Sequence, residues 1–317
     1  MENKLKRVSK KLHYLGHYYL RQQYRKFSRY LLTFYIHHLY NPKACHFKDL
    51  RTMVLSIGFP RSGSSIMGFL LTAHPNIVMA DEGKLKLLLD KNIELLNRPN
   101  EIIYYFLRMD RSRYLSWKIS FDEDKMEHNR RGHTRAKRYV NVSSQYQGRF
   151  KKLHVIGNKN RGRDVNFLAN TSLLKHLRSK LEDNKISLKF IFNIRDLYDI
   201  VAADFEGRGS NDLLDIDLSI KDIAELCENN QKILEQIDSS DVFICKNEDL
   251  IANPKLQITK LCDFLKVSAS ADYINACASR VINKPTNSRF KIDWSDQHKE
   301  KINSLIKKYD FLYSYDF

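Results

Sequence analysis

The sequence predicts an α/β fold in which a central parallel β-sheet is flanked by helices, preceded by a basic helical extension. From Arg51 onward, short runs of β-branched and aromatic residues alternate with segments of helical periodicity, which is typical of βαβ units. The first 50 residues lack this alternation and carry eleven Lys or Arg residues but only two acidic ones. We therefore predict an extension over residues 1–50 and an α/β domain over 51–317.

The elements of the α/β domain follow from runs of period 2 and period 3.6. The predicted strands are residues 53–57, 77–80, 153–156, 188–194 and 242–245. The predicted helices are residues 64–73, 84–97, 164–181, 197–205, 218–236 and 253–265. A strongly charged stretch over 122–152 has little apolar periodicity, so we predict a solvated helix plus a loop there.

The composition excludes several classes of protein. With 317 residues, 43% hydrophobic and 29% charged, the chain is neither disordered nor fibrous. Its formal net charge of +17 favours anionic partners, namely nucleotide phosphates, sulfated or phosphorylated glycans, nucleic acid or an acidic membrane. The five cysteines are odd in number and form no C-x-x-C pair, so neither a disulfide framework nor a zinc site is predicted.

The sequence shows no secretory signal and no apolar run of the roughly 20 residues that span a bilayer. We therefore expect a cytoplasmic protein. Aromatic residues interleave with the basic residues of the extension at helical spacing, which allows two interpretations. The extension either packs on the α/β domain or lies on an anionic membrane surface, and we favour packing because Tyr, a poor deep anchor, is its commonest aromatic residue.

The first strand leads into a loop, residues 58–65, that has the form of a phosphate-binding loop. Gly58, Gly63 and Ser65 occupy the positions of the pattern G-x-x-x-x-G-K-[ST], and an apolar helix follows. Ser64 stands where this pattern has a lysine, and the nearest cation is Arg61 inside the loop. This substitution disfavours ordinary P-loop nucleotide hydrolysis but retains a geometry suited to phosphate.

The loop and several later segments resemble the sulfotransferases that use 3′-phosphoadenosine-5′-phosphosulfate (PAPS). Residues 59–65, followed by Leu70-Leu71 and His74-Pro75, resemble the 5′-phosphosulfate loop of that family. In the family's order follow residues 156–159, 190–196, 247–250 with Pro254, 261–265, and Ser288, Arg289 and Trp294. The resemblance covers about residues 51–317 and implies a P-loop-like sulfotransferase fold of the carbohydrate or tyrosylprotein type, with PAPS as co-substrate, 3′-phosphoadenosine-5′-phosphate (PAP) as product and no metal requirement.

The resemblance also implies roles for individual residues. Glu82 follows the second predicted strand and is expected to act as the general base, although an acidic residue also favours a helix start. Lys159 is expected to stabilise the leaving group, although a lysine just past a strand is often simply exposed. His74 is a second proton-transfer candidate by residue type, but a His-Pro pair more often ends a helix.

Cofactor contacts are expected from two clusters. The expected 5′-phosphate ligands are Arg61, Ser62, Gly63, Ser64 and Ser65, and the expected 3′-phosphate ligands are Arg195, Ser288 and Arg289. The family usually has Ser or Thr eight residues after the arginine that corresponds to Arg195, where this chain has Ala203. Arg208, Ser210 or the pair Ser288-Arg289 would then compensate, or PAPS affinity is reduced.

The partners expected from the resemblance are PAPS and an acceptor hydroxyl on a glycan, a lipid-linked sugar or a small-molecule alcohol, with transfer by in-line displacement. A P-loop kinase or NTPase is the first alternative, and the missing loop lysine counts against it. A catalytically inactive PAP(S)-binding relative is the second, and Ala203 is its best argument. No motif for reading nucleic acid occurs, so we expect no specific nucleic-acid partner.

Overall fold

The computed structural model describes residues 47–81, 101–107, 144–159, 162–208 and 214–315, together with residues 85, 94, 97 and 142. The predicted N-terminal extension, the predicted helix over 84–97 and the charged stretch over 122–152 lie wholly or mostly outside the described residues. No helix in the part of the chain that is described is long and apolar enough to cross a membrane.

Five parallel strands form the central sheet. They are β1 (Thr52–Gly58), β2 (Ile77–Asp81), β3 (Val155–Lys159), β4 (Ser187–Ile194) and β5 (Val242–Lys246), in the order β2-β3-β1-β4-β5. Every neighbouring pair runs parallel. The predicted α/β fold with a parallel sheet is therefore confirmed, and the carboxyl ends of all five strands meet at one edge.

Helices cover both faces of the sheet. They are α1 (Ser64–Thr72), α2 (Gly162–Leu168), α3 (Thr171–Glu182), α4 (Leu197–Arg208), α5 (Leu214–Leu234), α6 (Asn247–Ala252), α7 (Pro254–Phe264), α8 (Ala271–Ala278) and α9 (Asp296–Lys308). One core lies against α2–α5 and α9, and the other lies against α1, α7 and α8. In the central strand β1, Met53 and Leu55 enter the first core and Val54 enters the second. This burial on both faces accounts for the continuous apolar run of β1.

The predicted helix over 164–181 is wrong, because the chain forms two helices there. Asn170 has extended backbone angles (φ −71°, ψ 109°), and its side chain accepts hydrogen bonds from the N–H groups of Ser172 and Leu173. These bonds satisfy donors at the start of α3, so Asn170 acts as an N-cap and ends the preceding helical run.

The third strand was predicted to end at Ile156, but it continues to Lys159. Gly157 lies in the middle of this strand, between Val54 of β1 and Met79 of β2. A β-carbon at Gly157 would collide with Met79, so glycine here permits close side-chain packing over a central strand. The strand therefore extends beyond the glycine and carries Lys159 at its carboxyl end.

The C-terminal segment, residues 309–315, packs near the carboxyl ends of β1 and β4. The ring of Phe311 lies 5.1 Å from that of Phe192 on β4 and 6.3 Å from that of Phe59, which follows β1. The hydroxyl of Tyr315 donates to Glu248 Oε2 at 2.9 Å. The segment therefore packs against the residue that follows β1 and supports the start of the loop.

Candidate functional site

The loop between β1 and α1 is fixed at both ends. Gly58 has φ +106°, and a β-carbon there would collide with the carbonyl of Asn193. The N–H of Gly58 donates to Asn230 Oδ1 at 3.0 Å, and the N–H of Phe59 donates to the Asn193 carbonyl at 3.1 Å. At the other end, Gly63 has φ +84°, and a β-carbon there would lie 2.5 Å from Asn247 Oδ1. Both glycines are therefore required by conformation and by close approach.

Within the loop, Ser62 is buried and donates to the Phe59 carbonyl at 2.5 Å. Ser64 is half-buried, and Ser65 and Arg61 are exposed. Gly63 is the N-cap of α1, and because it is a glycine it has no side chain to cap the first N–H groups of the helix. The first N–H groups of α1 are therefore available to an anion, as expected for a phosphate-binding helix start.

Lys159 brings a cation to the first turn of α1. Its side chain is largely buried, and its Nζ donates to Ser65 Oγ at 2.6 Å. The loop lacks a lysine at Ser64, and the cation instead arrives from the neighbouring strand β3. The backbone of Asp81, the last residue of β2, lies opposite that of Lys159 in the sheet. Glu82 is the next residue in the sequence, and it lies outside the described residues.

Arg195 follows β4 on the other side of β1 and is only 6% exposed. Its Nη1 donates to the Arg61 carbonyl at 3.2 Å, and its Nη2 donates to Thr286 Oγ1 at 3.0 Å. Nη2 also lies 3.6 Å from Asp199 Oδ1. These contacts bring Arg195 to the same loop that Lys159 approaches from β3.

Ser288 and Arg289 lie beside Arg195 at the carboxyl edge. Ser288 is buried, and Arg289 Nη2 contacts Asp196 Oδ2 at 2.7 Å and Asp199 Oδ2 at 3.1 Å. The carbonyl of Arg289 accepts a hydrogen bond from Trp294 Nε1 at 2.8 Å. Arg289 is therefore held by two carboxylates, and its contact with a 3′-phosphate stays a prediction.

Three residues of this cluster were missed from the sequence: Asp196, Asp199 and Thr286. The two aspartates lie one and four residues after Arg195, so the second is one helical turn away from it, and this spacing was the available signal. Thr286 gave none, because it comes from a distant loop. Ala203 is half-buried in α4, and the side chain of Arg208 and all of Ser210 lie outside the described residues.

His74 has a structural role at the opposite end of α1. It is fully buried, and its Nδ1 accepts from the N–H of Asn76 at 3.1 Å while Nε2 donates to the Ser268 carbonyl at 3.1 Å. Its ring stands edge-on to Tyr273, with centroids 4.9 Å apart. Burial lowers the pKa of His74, so the ring is neutral at pH 7. This placement removes His74 as a proton-transfer candidate.

The carboxyl group of Asp196 should make stability depend on pH. Burial raises its pKa to about 6, although Arg289 acts in the opposite direction. The folded protein then keeps this proton at pH values where the unfolded chain has lost it, so this group's contribution to stability falls as pH rises from about 4 to 7. Relative to Asp196→Asn, the unaltered protein should lose about 3 kcal/mol of unfolding free energy over that interval. Denaturant titrations of both proteins check this, and a difference that grows with pH would mean that the Arg289 ion pair dominates.

Comparisons with known proteins identify a family for this chain. The sequence model of the Sulfotransferase family matches residues 54–271, more than half of the chain. No curated protein sequence matches. The fold is similar to the sulfotransferase domain of the Synechococcus PCC 7002 olefin synthase, with 16% identity, 85% of this chain and 97% of that one covered, and a TM-score of 0.49.

Two further solved structures are similar. Sulfotransferase STF9 from Mycobacterium avium has 12% identity, with 88% of this chain and 81% of that one covered and a TM-score of 0.47. A mouse sulfotransferase complexed with PAP has 8% identity, with 81% and 84% covered and a TM-score of 0.43. The family match spans the loop between β1 and α1, Lys159 and Arg195. The chain therefore belongs to the sulfotransferase family of enzymes.

Proposed function

We propose that the protein transfers a sulfuryl group from PAPS to an acceptor hydroxyl. The observation that carries this proposal is the placement of two cationic side chains around one anion-binding loop. Lys159 reaches the start of α1 from β3, and Arg195 reaches the loop from β4. An arrangement of this kind suits a ligand with two separate phosphate groups, because each group meets its own cation.

The 5′-phosphosulfate would lie at the start of α1. There the N–H groups of Ser64 and Ser65 and the dipole of the helix favour an anion. The 3′-phosphate would lie by Arg195. The described hydrogen bonds of Arg195 use one N–H group on each of its two Nη atoms, out of the five that an arginine carries, so further N–H groups remain for an oxyanion.

In the reaction, the acceptor oxygen attacks sulfur as the bond between sulfur and the bridging 5′-phosphate oxygen breaks. The acceptor proton passes to the base, for which we propose Glu82, and the electron pair of the broken bond stays on the leaving phosphate of PAP. Lys159 stabilises the negative charge that develops on that oxygen. The products are a sulfate ester and PAP, and the step requires no external oxidant or reductant.

Binding of PAP tests the cofactor assignment. Arg61→Ala and Arg195→Ala should each weaken PAP affinity by roughly 10- to 150-fold, because each removes a charge-assisted hydrogen-bonding partner. Arg178→Ala is the matched control, since Arg178 also pairs with an aspartate, Asp241, at 3.3 Å but lies by the opposite end of the sheet. Calorimetry gives the affinities, and unchanged values in both site variants would remove the assignment.

Turnover separates an active enzyme from a binding protein that keeps the fold. Protection against thermal unfolding by PAP but not by ATP would support the cofactor without addressing activity. Incubation with labelled PAPS and an extract of the producing cells, followed by identification of the sulfated product, would then define the acceptor. The classes that we propose to test are glycans, lipid-linked sugars and small-molecule alcohols.

A further inference from the structure

We infer that Arg195 holds the loop between β1 and α1 in its binding conformation as well as contacting a 3′-phosphate. We also infer that Asp199 is the residue that positions Arg195. This inference rests on the proposed function for the identity of the ligand. Its structural part concerns the loop itself and can be tested without any nucleotide.

The loop needs such support because Arg61 has a left-handed backbone conformation. Its φ is +62°, a region that costs a residue with a β-carbon on the order of 1–2 kcal/mol. Arg61 is also exposed, so burial of its side chain does not offset that cost. Other contacts must therefore select this conformation over ordinary ones.

Arg195 provides one such contact. Its Nη1 donates to the Arg61 carbonyl at 3.2 Å, and because Arg195 is buried, this bond is shielded from water. The side chain of Arg61 is placed independently, since its guanidinium lies against Gly207 in the last turn of α4, where a β-carbon would collide with it. Helix α4 starts just after Arg195 and has Gly207 in its last turn. Arg61 is therefore contacted at both the start and the end of this helix.

Asp199 fixes the guanidinium that makes this bond. It lies one helical turn after Arg195, with Oδ1 3.6 Å from Nη2, and its side chain is 4% exposed. Asp199 is itself held by the N–H of Arg289 at 2.9 Å and by Arg289 Nη2 at 3.1 Å. The hydroxyl of Thr286 accepts from the same Nη2 at 3.0 Å. Arg195 therefore has its orientation set before any ligand arrives.

The two contacts of Arg195 predict how ligands with and without a 3′-phosphate bind. If Arg195 contacted only the 3′-phosphate, a ligand without that phosphate would not sense its removal. If Arg195 also shapes the loop, the affinity for the 5′ group alone must fall as well. The two phosphate sites are then coupled through one side chain, and the coupling is reciprocal because it is a binding free energy.

Hydrogen–deuterium exchange of the ligand-free protein tests the loop. In Arg195→Ala, the backbone amides of residue 59 and residues 61–65 should exchange roughly tenfold faster, as expected for the loss of one charge-assisted bond. Asp199→Asn should act in the same direction with a smaller effect. Arg178→Ala should leave loop exchange unchanged, and exchange in β1 and β4 should stay near its original rate in all three variants. Unchanged loop exchange in Arg195→Ala would overturn the inference, whatever the nucleotide does.

Adenosine 5′-phosphosulfate, which carries no 3′-phosphate, provides the second measurement. Its affinity should fall roughly tenfold in Arg195→Ala, whereas a role confined to the 3′-phosphate would leave it unchanged and contradict the inference. Binding of PAP to the unaltered protein reports separately on the proposed function. Faster loop exchange in Arg195→Ala without any PAP binding would therefore remove the proposed function and still support the role of Arg195 in the loop.

Discussion

Replacing Glu82 by glutamine should lower turnover by about 10²- to 10⁴-fold while PAPS affinity stays near its original value. Glutamine keeps the shape of the side chain but cannot take the proton of the substrate hydroxyl. General-base catalysis typically raises the rate by a factor of this size. The position of Glu82 in the sequence favours the assignment, because it directly follows Asp81, whose backbone lies opposite that of Lys159 at the carboxyl edge of the sheet. Single-turnover measurements with saturating PAPS give the chemical rate.

The matched control for Glu82 is Glu235→Gln, which removes a carboxylate from the surface near the end of α5. This variant should retain full activity. The pH dependence of Glu82→Gln adds a second criterion, since the acidic limb of the rate profile should disappear when the base is gone. Turnover within a few-fold of the unaltered enzyme would show that another group takes the proton.

Lys159→Ala should reduce turnover by about 10²- to 10³-fold, the usual cost of losing one group that stabilises developing charge. Its Nζ donates to Ser65 Oγ at the start of α1, so removal of the amine also leaves that hydroxyl without this donor. The structure thus predicts a second, smaller effect on PAP affinity. Steady-state rates with PAPS, compared with calorimetric PAP affinity, separate the two effects.

Two further variants distinguish chemistry from packing at Lys159. Lys159→Arg keeps the charge and should recover part of the activity. Ser65→Ala removes the partner hydroxyl and leaves the amine, so it should cost much less than Lys159→Ala. If Lys159→Ala instead lowered only thermal stability, with turnover per folded molecule unchanged, Lys159 would be a structural residue.

The conformation of the loop between β1 and α1 could be predicted from the sequence because it depends on local residues. Gly58 and Gly63 are required by backbone conformation, and both are visible in a single pattern of eight residues. The strand-end cations Lys159 and Arg195 were also accessible, since an apolar run that ends in a basic residue predicts a charge at the sheet edge. The partners of Arg195 were not, because Thr286 joins it through tertiary folding alone.

The errors have equally physical causes. The third strand was predicted to end at Ile156, whereas close packing of Met79 and Val54 places Gly157 inside the strand. Helices α8 and α9 were not predicted, because α8 is only eight residues long and buries just Tyr273 and Cys277, and few residues of α9 are apolar. Short helices of this kind are stabilised by tertiary contacts that periodicity does not show.

The packing of Phe311 against Phe59 and Phe192 has a consequence for folding during synthesis. The loop between β1 and α1 is made early, but its aromatic support belongs to residues 309–315, which follow all five described strands. The loop of a nascent chain therefore lacks that support until residues 309–315, which follow α9, have left the ribosome. The supported conformation of the loop should consequently be acquired late, and a ribosome-bound chain stalled before α9 would leave Phe59 and Phe192 without Phe311 and open to chaperones.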